Sequence, residues 1–307
     1  MSARVGDLAP GEFAARLARG GVDVRIGPFD FRICARVKGL TGALHALYRD
    51  YPLLTGVRVL HGHVAVRDVM RWLPTPRRRV RFIVDGRAPH EDMPAGQALP
   101  VLEWGINLVI ALRYHCYLML HAAVLERGGR ALLLPAWPGH GKTTLCAALA
   151  HRGWRLFSDE FGLVRPGTRE LVPIPRPMPL KNASIDVIRR FAPEAFLGPV
   201  IPGTRKGTIA HVRPPAQSVA RARETAPAAW IVFPRWEAGA TLSLEEMPKS
   251  AGYMQLATNA FNYEMLGEPG FETARGLVDG ARCYRLVYSD LDEAVAALGA
   301  LTFESGA

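Results

Sequence analysis

The chain has 307 residues, 49% hydrophobic and 21% charged, with a formal net charge of +10. Such a composition excludes a disordered or low-complexity chain, and the length gives one large domain or two smaller ones a proper core. No apolar run reaches the roughly 18 residues of a membrane span; the longest, 105–112, is broken by Arg113 and His115 and reads as a buried helix. The stretch 1–19 carries Asp7 and Glu12 without an apolar centre, so it does not read as a secretory signal. Cys34, Cys116, Cys146 and Cys283 are far apart and form no CxxC pair. They read as reduced, mostly buried thiols of a cytoplasmic protein.

Up to about residue 97, β-branched or alternating runs punctuated by Gly and Pro predict strands at 22–26, 29–37, 57–60, 63–66 and 80–84, with one helix at 40–50. This is an α+β module, 1–97. The polar, Pro- and Gly-rich stretch 89–100 marks its boundary with a second domain, 98–307. There the spacing predicts a helix over 101–118, strands at 121–126 and 131–136 around the turn Arg127-Gly128-Gly129-Arg130, and a helix over 143–152 closed by Gly153. Strands follow at 155–159, 163–165, 230–234, 241–245 and 282–287, and helices at 184–191, 250–260, 270–279 and 290–301.

Basic proteins attract polyanions, from nucleotides to acidic peptides. The densest run is Arg77-Arg78-Arg79-Val80-Arg81. It reads as a solvated strand edge or as a docking patch for an acidic partner. Nucleic acid is disfavoured, because the run lacks interleaved aromatics and a recognition module.

The chemistry-bearing segment is Ala136-Trp137-Pro138-Gly139-His140-Gly141-Lys142-Thr143-Thr144, which fits a phosphate loop with Ala at the first Gly position. A strand feeds the loop, Gly139 and Gly141 let main-chain N–H groups turn inward, and a helix follows whose free N–H groups and dipole favour an anion. With His140 in the same turn, Lys142 supplies a point charge for the terminal phosphates, Thr143 a hydroxyl for Mg²⁺, and Thr144 a contact to an α-phosphate oxygen. The second half is Phe157-Ser158-Asp159-Glu160. One helix and one turn separate Lys142 from Asp159, so a right-handed crossover is expected to make the strand of Asp159 a parallel neighbour of the loop's strand, with its acids opening beside the phosphates. One carboxylate there can hold Mg²⁺ and a second can take a proton from an attacking hydroxyl. His121 ends an apolar run upstream and reads as a core histidine unless it orients one of the acids.

His121, Gly141-Lys142-Thr143 and Arg152-Gly153-Trp154-Arg155-Leu156-Phe157-Ser158-Asp159-Glu160 together resemble the core of HPr kinase/phosphorylase, whose nucleotide architecture is shared with phosphoenolpyruvate carboxykinase. The segments Pro175-Arg176-Pro177, Leu180-Lys181-Asn182, Arg205-Lys206-Gly207-Thr208 and Asn259-Ala260-Phe261-Asn262-Tyr263-Glu264 are similar to the HPr-kinase-related proteins called kinase A. The resemblance covers about residues 117–300. It implies an α/β phosphate-loop kinase domain of HPr kinase/carboxykinase type with a smaller N-terminal α+β module. It further implies ATP and Mg²⁺ as cofactors, one of Asp159 and Glu160 as general base with the other toward Mg²⁺, and His121 in support.

Lys181 with Asn182, after the Pro-rich loop 173–179, is placed to grip a substrate. Arg205 with Lys206, in a Gly-flanked loop, is placed to stabilise transferred phosphoryl charge. The expectation is a cytoplasmic kinase that passes the γ-phosphoryl of ATP to a hydroxyl. A serine of a small protein or peptide is the first choice of acceptor, and an acidic one suits the basic chain. The alternatives are a kinase of a small molecule such as free serine or a sugar, and an ATP-binding switch or assembly factor without an acceptor. No membrane association is expected, and a homo-oligomer is compatible with the reading.

Overall fold

The computed structural model describes residues 3–56, 59–72 and 76–302. The N-terminal part runs α1 (Pro10–Arg19), β1 (Val22–Ile26), β2 (Phe29–Arg36), α2 (Leu40–Leu47), β3 (Gly62–Arg71), β4 (Arg77–Val84), β5 (Met93–Pro94) and α3 (Ala98–Arg113). The strands form one sheet in the order β1-β2-β3-β4-β5, parallel only between β2 and β3. Its inner face is β-branched and aromatic (Ile33, Val64, Val66, Phe82) and packs with the apolar residues of α3, Val101, Leu102, Ile106 and Val109. Of the strand expected over 57–60, residues 57 and 58 lie outside the described residues, and Val59 and Leu60 are irregular. The helix α1 is not evident from the sequence pattern, although its first residue is a proline, which suits the first helical position.

The helix α3 comes after the expected boundary yet packs on β3 and β4. The stretch Ala95–Arg113 is long and apolar enough to cross a membrane by length and composition alone, but most of it is buried inside the protein. It ends earlier than periodicity suggests. Leu118 already belongs to a strand, because Asn262 takes the main chain there: its Oδ1 accepts from Met119 N at 2.9 Å and its Nδ2 donates to Tyr117 O at 2.8 Å.

The remaining elements are β6 (Leu118–Arg127), β7 (Arg130–Pro135), α4 (Lys142–Ala150), β8 (Arg155–Ser158), β9 (Phe161–Val164), β10 (Glu170–Val172), β11 (Met178–Lys181), α5 (Ala183–Phe191), β12 (Ile201–Thr204), β13 (Gly207–Val212), α6 (Ala216–Ala220), β14 (Ala226–Trp236), β15 (Ser243–Glu246), α7 (Lys249–Thr258), α8 (Tyr263–Leu266), α9 (Glu268–Gly280), β16 (Arg282–Tyr288) and α10 (Leu291–Gly299). Eight strands make a sheet along β10-β9-β6-β7-β14-β16-β15, with β8 paired to β6; β11, β13 and β12 make a separate antiparallel sheet that the sequence did not disclose. The protein is thus mixed α/β. Alternating side chains of β6 and β7 feed two cores: Ala123, Leu125, Leu132 and Leu134 pack with α4, α5 and α10, while Ala122, Val124, Ala131 and Leu133 pack with α7 and α9.

The expected direct pairing of the two motif strands is not what forms. β7 and β8 do run in the same direction, but β6 lies between them, antiparallel to both. The cause is the β6–β7 turn. Gly128 and Gly129 adopt φ of 59° and 77°, the positive pair of a tight hairpin, and this lays β6 directly against β7. A buried pair then fastens β8 on the other side: Arg155 Nε donates to Glu126 Oε2 at 2.5 Å with both side chains 4% exposed. Because β6 reverses direction between them, the C-terminal ends of β7 and β8 still open at the same edge of the sheet.

All four cysteines are free; Cys146 and Cys283 are buried, Cys34 is half-buried, and Cys116 is exposed.

Candidate functional site

At that edge β7 ends in the Gly-rich loop. Gly139 and Gly141 hold φ of 91° and 82°, a region closed to most side chains. A Cβ at Gly141 would also lie 2.6 Å from the Tyr288 hydroxyl. The first main-chain bond of α4 runs from Leu145 N to Gly141 O at 3.0 Å, which leaves the N–H groups of Lys142, Thr143 and Thr144 for a ligand or water, while His140 N donates to the Trp137 carbonyl at 3.3 Å. The His140 carbonyl accepts from Trp236 N at 3.2 Å and ties the loop to the end of β14.

Two side chains of the first turn of α4 reach the acidic turn after β8. Lys142, 9% exposed, donates from Nζ to the Asp159 carbonyl at 2.8 Å. Thr143 donates from Oγ1 to Asp159 Oδ2 at 3.1 Å, while Asp159 Oδ1 is buried with no partner. The turn is set by Ser158, whose hydroxyl accepts from the N–H groups of Glu160 (3.2 Å) and Phe161 (2.9 Å). Burial pushes the Asp159 carboxyl above its ordinary range, against the pull of Lys142. Burial acts on Glu160 in the same sense, but Lys142, Lys206, His121 and Lys181 outweigh it and hold Glu160 below the ordinary range.

Of the four residues singled out for a substrate, the structure brings two to this spot. The Lys181 ammonium is lowered by desolvation and then by its neighbour Lys206, with Glu160 and Asp159 acting in the opposite direction. Lys206 lies over the Trp104 ring, 5.5 Å from its centre. Asn182 serves instead as a tie between strands: its Oδ1 accepts from Thr208 N at 3.0 Å. Arg205 is exposed beside Lys206 in the β12–β13 turn and makes no hydrogen bond or ion pair among the described residues.

His121 sits on β6 opposite Phe161, edge-on to the Phe261 ring at 5.4 Å. Its Nδ1 is buried without a partner and no hydrogen bond joins it to Asp159 or Glu160. Burial, and then Lys142, lower its pKa to about 4, so the ring is neutral at neutral pH. Asn259 and Asn262 flank the break between α7 and α8; the Asn259 carbonyl receives His121 N at 2.6 Å.

Beside the loop lies a cavity of about 540 Å³, floored by Gly139, Gly141 and Thr144 and walled by Val187, Phe191 and Trp236. That volume is ordinary for a small-ligand site. On the loop's other flank a second cavity, about 620 Å³, takes in His140, Trp137 and Asn259. Sequence reasoning missed Trp236, Phe191, Trp104 and Arg176, which lines a small cleft with Asp159 and Glu160. Each comes from an element remote in sequence, and only the Pro-rich setting of Arg176 gave a local signal.

The constellation suits phosphate chemistry. It pairs free N–H groups at a helix start with a buried lysine, a hydroxyl against a carboxylate, and two further lysines facing the acids. Among the described residues no group of three or more His, Cys, Asp or Glu gathers to hold a metal. A metal here would draw on the Thr143 hydroxyl and the acids, with its other oxygens from phosphate and water, which is the habit of Mg²⁺. The partnerless Asp159 Oδ1 shows that the acid turn keeps an oxygen for a ligand. A scan against protein-family models finds no match for this chain, and a search of curated proteins finds none either.

Proposed function

We propose that the protein is an ATP- and Mg²⁺-dependent kinase of HPr-kinase-like type that transfers the γ-phosphoryl to a hydroxyl, with a serine of a small protein or peptide as acceptor. The observation that carries the reading is the convergence of Lys142, Thr143 and the Asp159–Glu160 turn at one sheet edge. Gly139, His140, Gly141 and Thr144 would cradle the phosphates and Lys142 would offset their charge. Thr143 with the acids would hold Mg²⁺, which neutralises phosphate charge when bound. The cavity walled by Phe191 and Trp236 has the size and apolar walls for a nucleoside. Asp159 would take the acceptor's proton, with Glu160 the acid toward Mg²⁺. Lys181 and Lys206 would steady the charge of the phosphoryl in flight.

The test is incubation of the protein with γ-labelled ATP and a lysate, separated into protein and metabolite fractions. Label in a protein band that disappears with Asp159→Asn supports the reading. Label in a small molecule moves the acceptor class to a metabolite. ATP turnover that persists unchanged in Asp159→Asn contradicts the site.

A further inference from the structure

The outward side of the N-terminal sheet carries arginines in register. Ile33, Val64, Val66, Phe82 and Val84 face the core, so alternation along β2, β3 and β4 sets Arg36, Arg67, Arg71, Arg77, Arg79 and Arg81 on the opposite face. Arg36 stands opposite Arg67 and Arg67 opposite Arg81, one row across three strands; Arg71 stands opposite Arg77. Like charges directly opposite one another destabilise a sheet.

Compensation inside the protein is partial. Arg81 makes a two-pronged pair with Asp92 at 2.7 and 2.8 Å, Arg79 donates to the Asp92 carbonyl, and Arg36 donates to the Ala18 carbonyl at 2.6 Å. The side chains of Arg67, Arg71 and Arg77 are exposed and enter no hydrogen bond or ion pair among the described residues, although the Asp92 charge also reaches Arg71. A sheet that tolerates this repulsion with three guanidinium groups open has a surface made for an anionic partner.

We propose that this face docks an acidic polypeptide segment. Arg67 and Arg71 lie four residues apart on β3, about 13 Å, which matches same-side groups along an extended peptide, and Arg77 stands opposite Arg71. Aspartates or glutamates at alternate positions of such a peptide meet successive arginines, and guanidinium pairs with carboxylate in a bidentate fashion. The side chains between them are aliphatic, Ala65, Val69 and Ile83. Within β2, β3 and β4 no Phe, Tyr or Trp points outward; Trp72, the residue after β3, is exposed beside Arg71, a single ring and not a row of platforms for successive bases. The surface belongs to the N-terminal sheet and its occupancy does not depend on phosphoryl transfer.

The test is a titration of the full-length protein into a fluorescently labelled peptide of about ten glutamates, followed by anisotropy at low and physiological salt. The wild type is expected to bind, less tightly as salt rises. The triple variant Arg67→Thr, Arg71→Thr, Arg77→Thr is expected to bind roughly tenfold more weakly, the loss of three exposed ion pairs. Its melting temperature is expected not to fall, because like charges are removed. Should the triple variant fail to fold, single Arg67→Gln is expected to weaken binding about twofold. An absence of wild-type binding, undiminished binding by the variants, or tighter binding of an oligothymidylate of equal charge would each overturn the proposal.

Discussion

Thr143 donates its hydroxyl to Asp159 Oδ2 at 3.1 Å, and the other oxygen of that carboxylate is buried without a partner. This bond joins the first turn of α4 to the end of β8 and leaves one carboxylate oxygen for a ligand. Thr143→Val keeps the shape and removes the oxygen. The fold is expected to survive, while ATP turnover falls roughly tenfold to a hundredfold and requires more Mg²⁺. Turnover measured against Mg²⁺ concentration checks it; an unchanged Mg²⁺ dependence removes Thr143 from the metal.

Asp159→Asn separates binding from chemistry. The amide retains an oxygen that can accept from Thr143 but cannot take a proton. Nucleotide affinity is expected to stay within about a few-fold and turnover to fall by at least about a hundredfold. Calorimetry beside a turnover assay measures both; nucleotide binding lost with turnover retained would show that Asp159 holds the nucleotide and is not the base.

Glu126 tests the frame that holds β8 in place. It accepts from Arg155 at 2.5 Å and from Gly129 N at 2.6 Å inside the protein. Glu126→Ala leaves the buried Arg155 guanidinium without its carboxylate, held only by the Arg221 and Glu224 carbonyls, and a loss of about 3–5 kcal/mol in unfolding free energy is expected. Denaturant titration measures it; a loss under about 1 kcal/mol shows the pair to be dispensable.

His211 sets a pH dependence of stability. It is fully buried, neither ring nitrogen has a partner, and the nearby charges are Glu103 and Arg176. Burial lowers its pKa from 6.5 to about 4, with Glu103 opposing and Arg176 adding to the effect. The unfolded chain therefore binds this proton first. Stability is complete above about pH 6.5 and declines as the pH falls toward 4, by about 3 kcal/mol from this residue. His211→Leu is expected to flatten the melting temperature between pH 7 and about pH 5; an unchanged decline assigns it to other groups.

The site was legible where it is local. Loop, following helix and acid turn lie within Ala136 to Glu160, and spacing alone brings them near one another. The order of the strands was not legible, because the Gly128-Gly129 hairpin decides it by placing β6 between β7 and β8. Lys181 and Lys206 stand out in separate loops of the sequence, but their meeting depends on the β11–β13 pairing, in strands hidden by a Pro-rich sequence. Asn182 shows the opposite case: its polar side chain looked available for substrate, yet it satisfies a main-chain N–H of the neighbouring strand. Trp236 and Phe191 reach the loop from strand and helix ends that no local pattern connects to it.

Calorimetric titration of MgATP into the wild type and into Lys142→Ala is the most direct measurement of the phosphate site. Lys142 is buried and anchored on the Asp159 carbonyl, so the melting temperature of the variant is measured first, and in a folded variant its removal subtracts one charge from the loop. The wild type is expected to bind one MgATP per chain, and the variant to lose at least about tenfold in affinity and all turnover. A wild type that takes up no nucleotide, or a variant that binds and turns over MgATP as the wild type does, would contradict the assignment of the Gly139–Thr144 loop to phosphate.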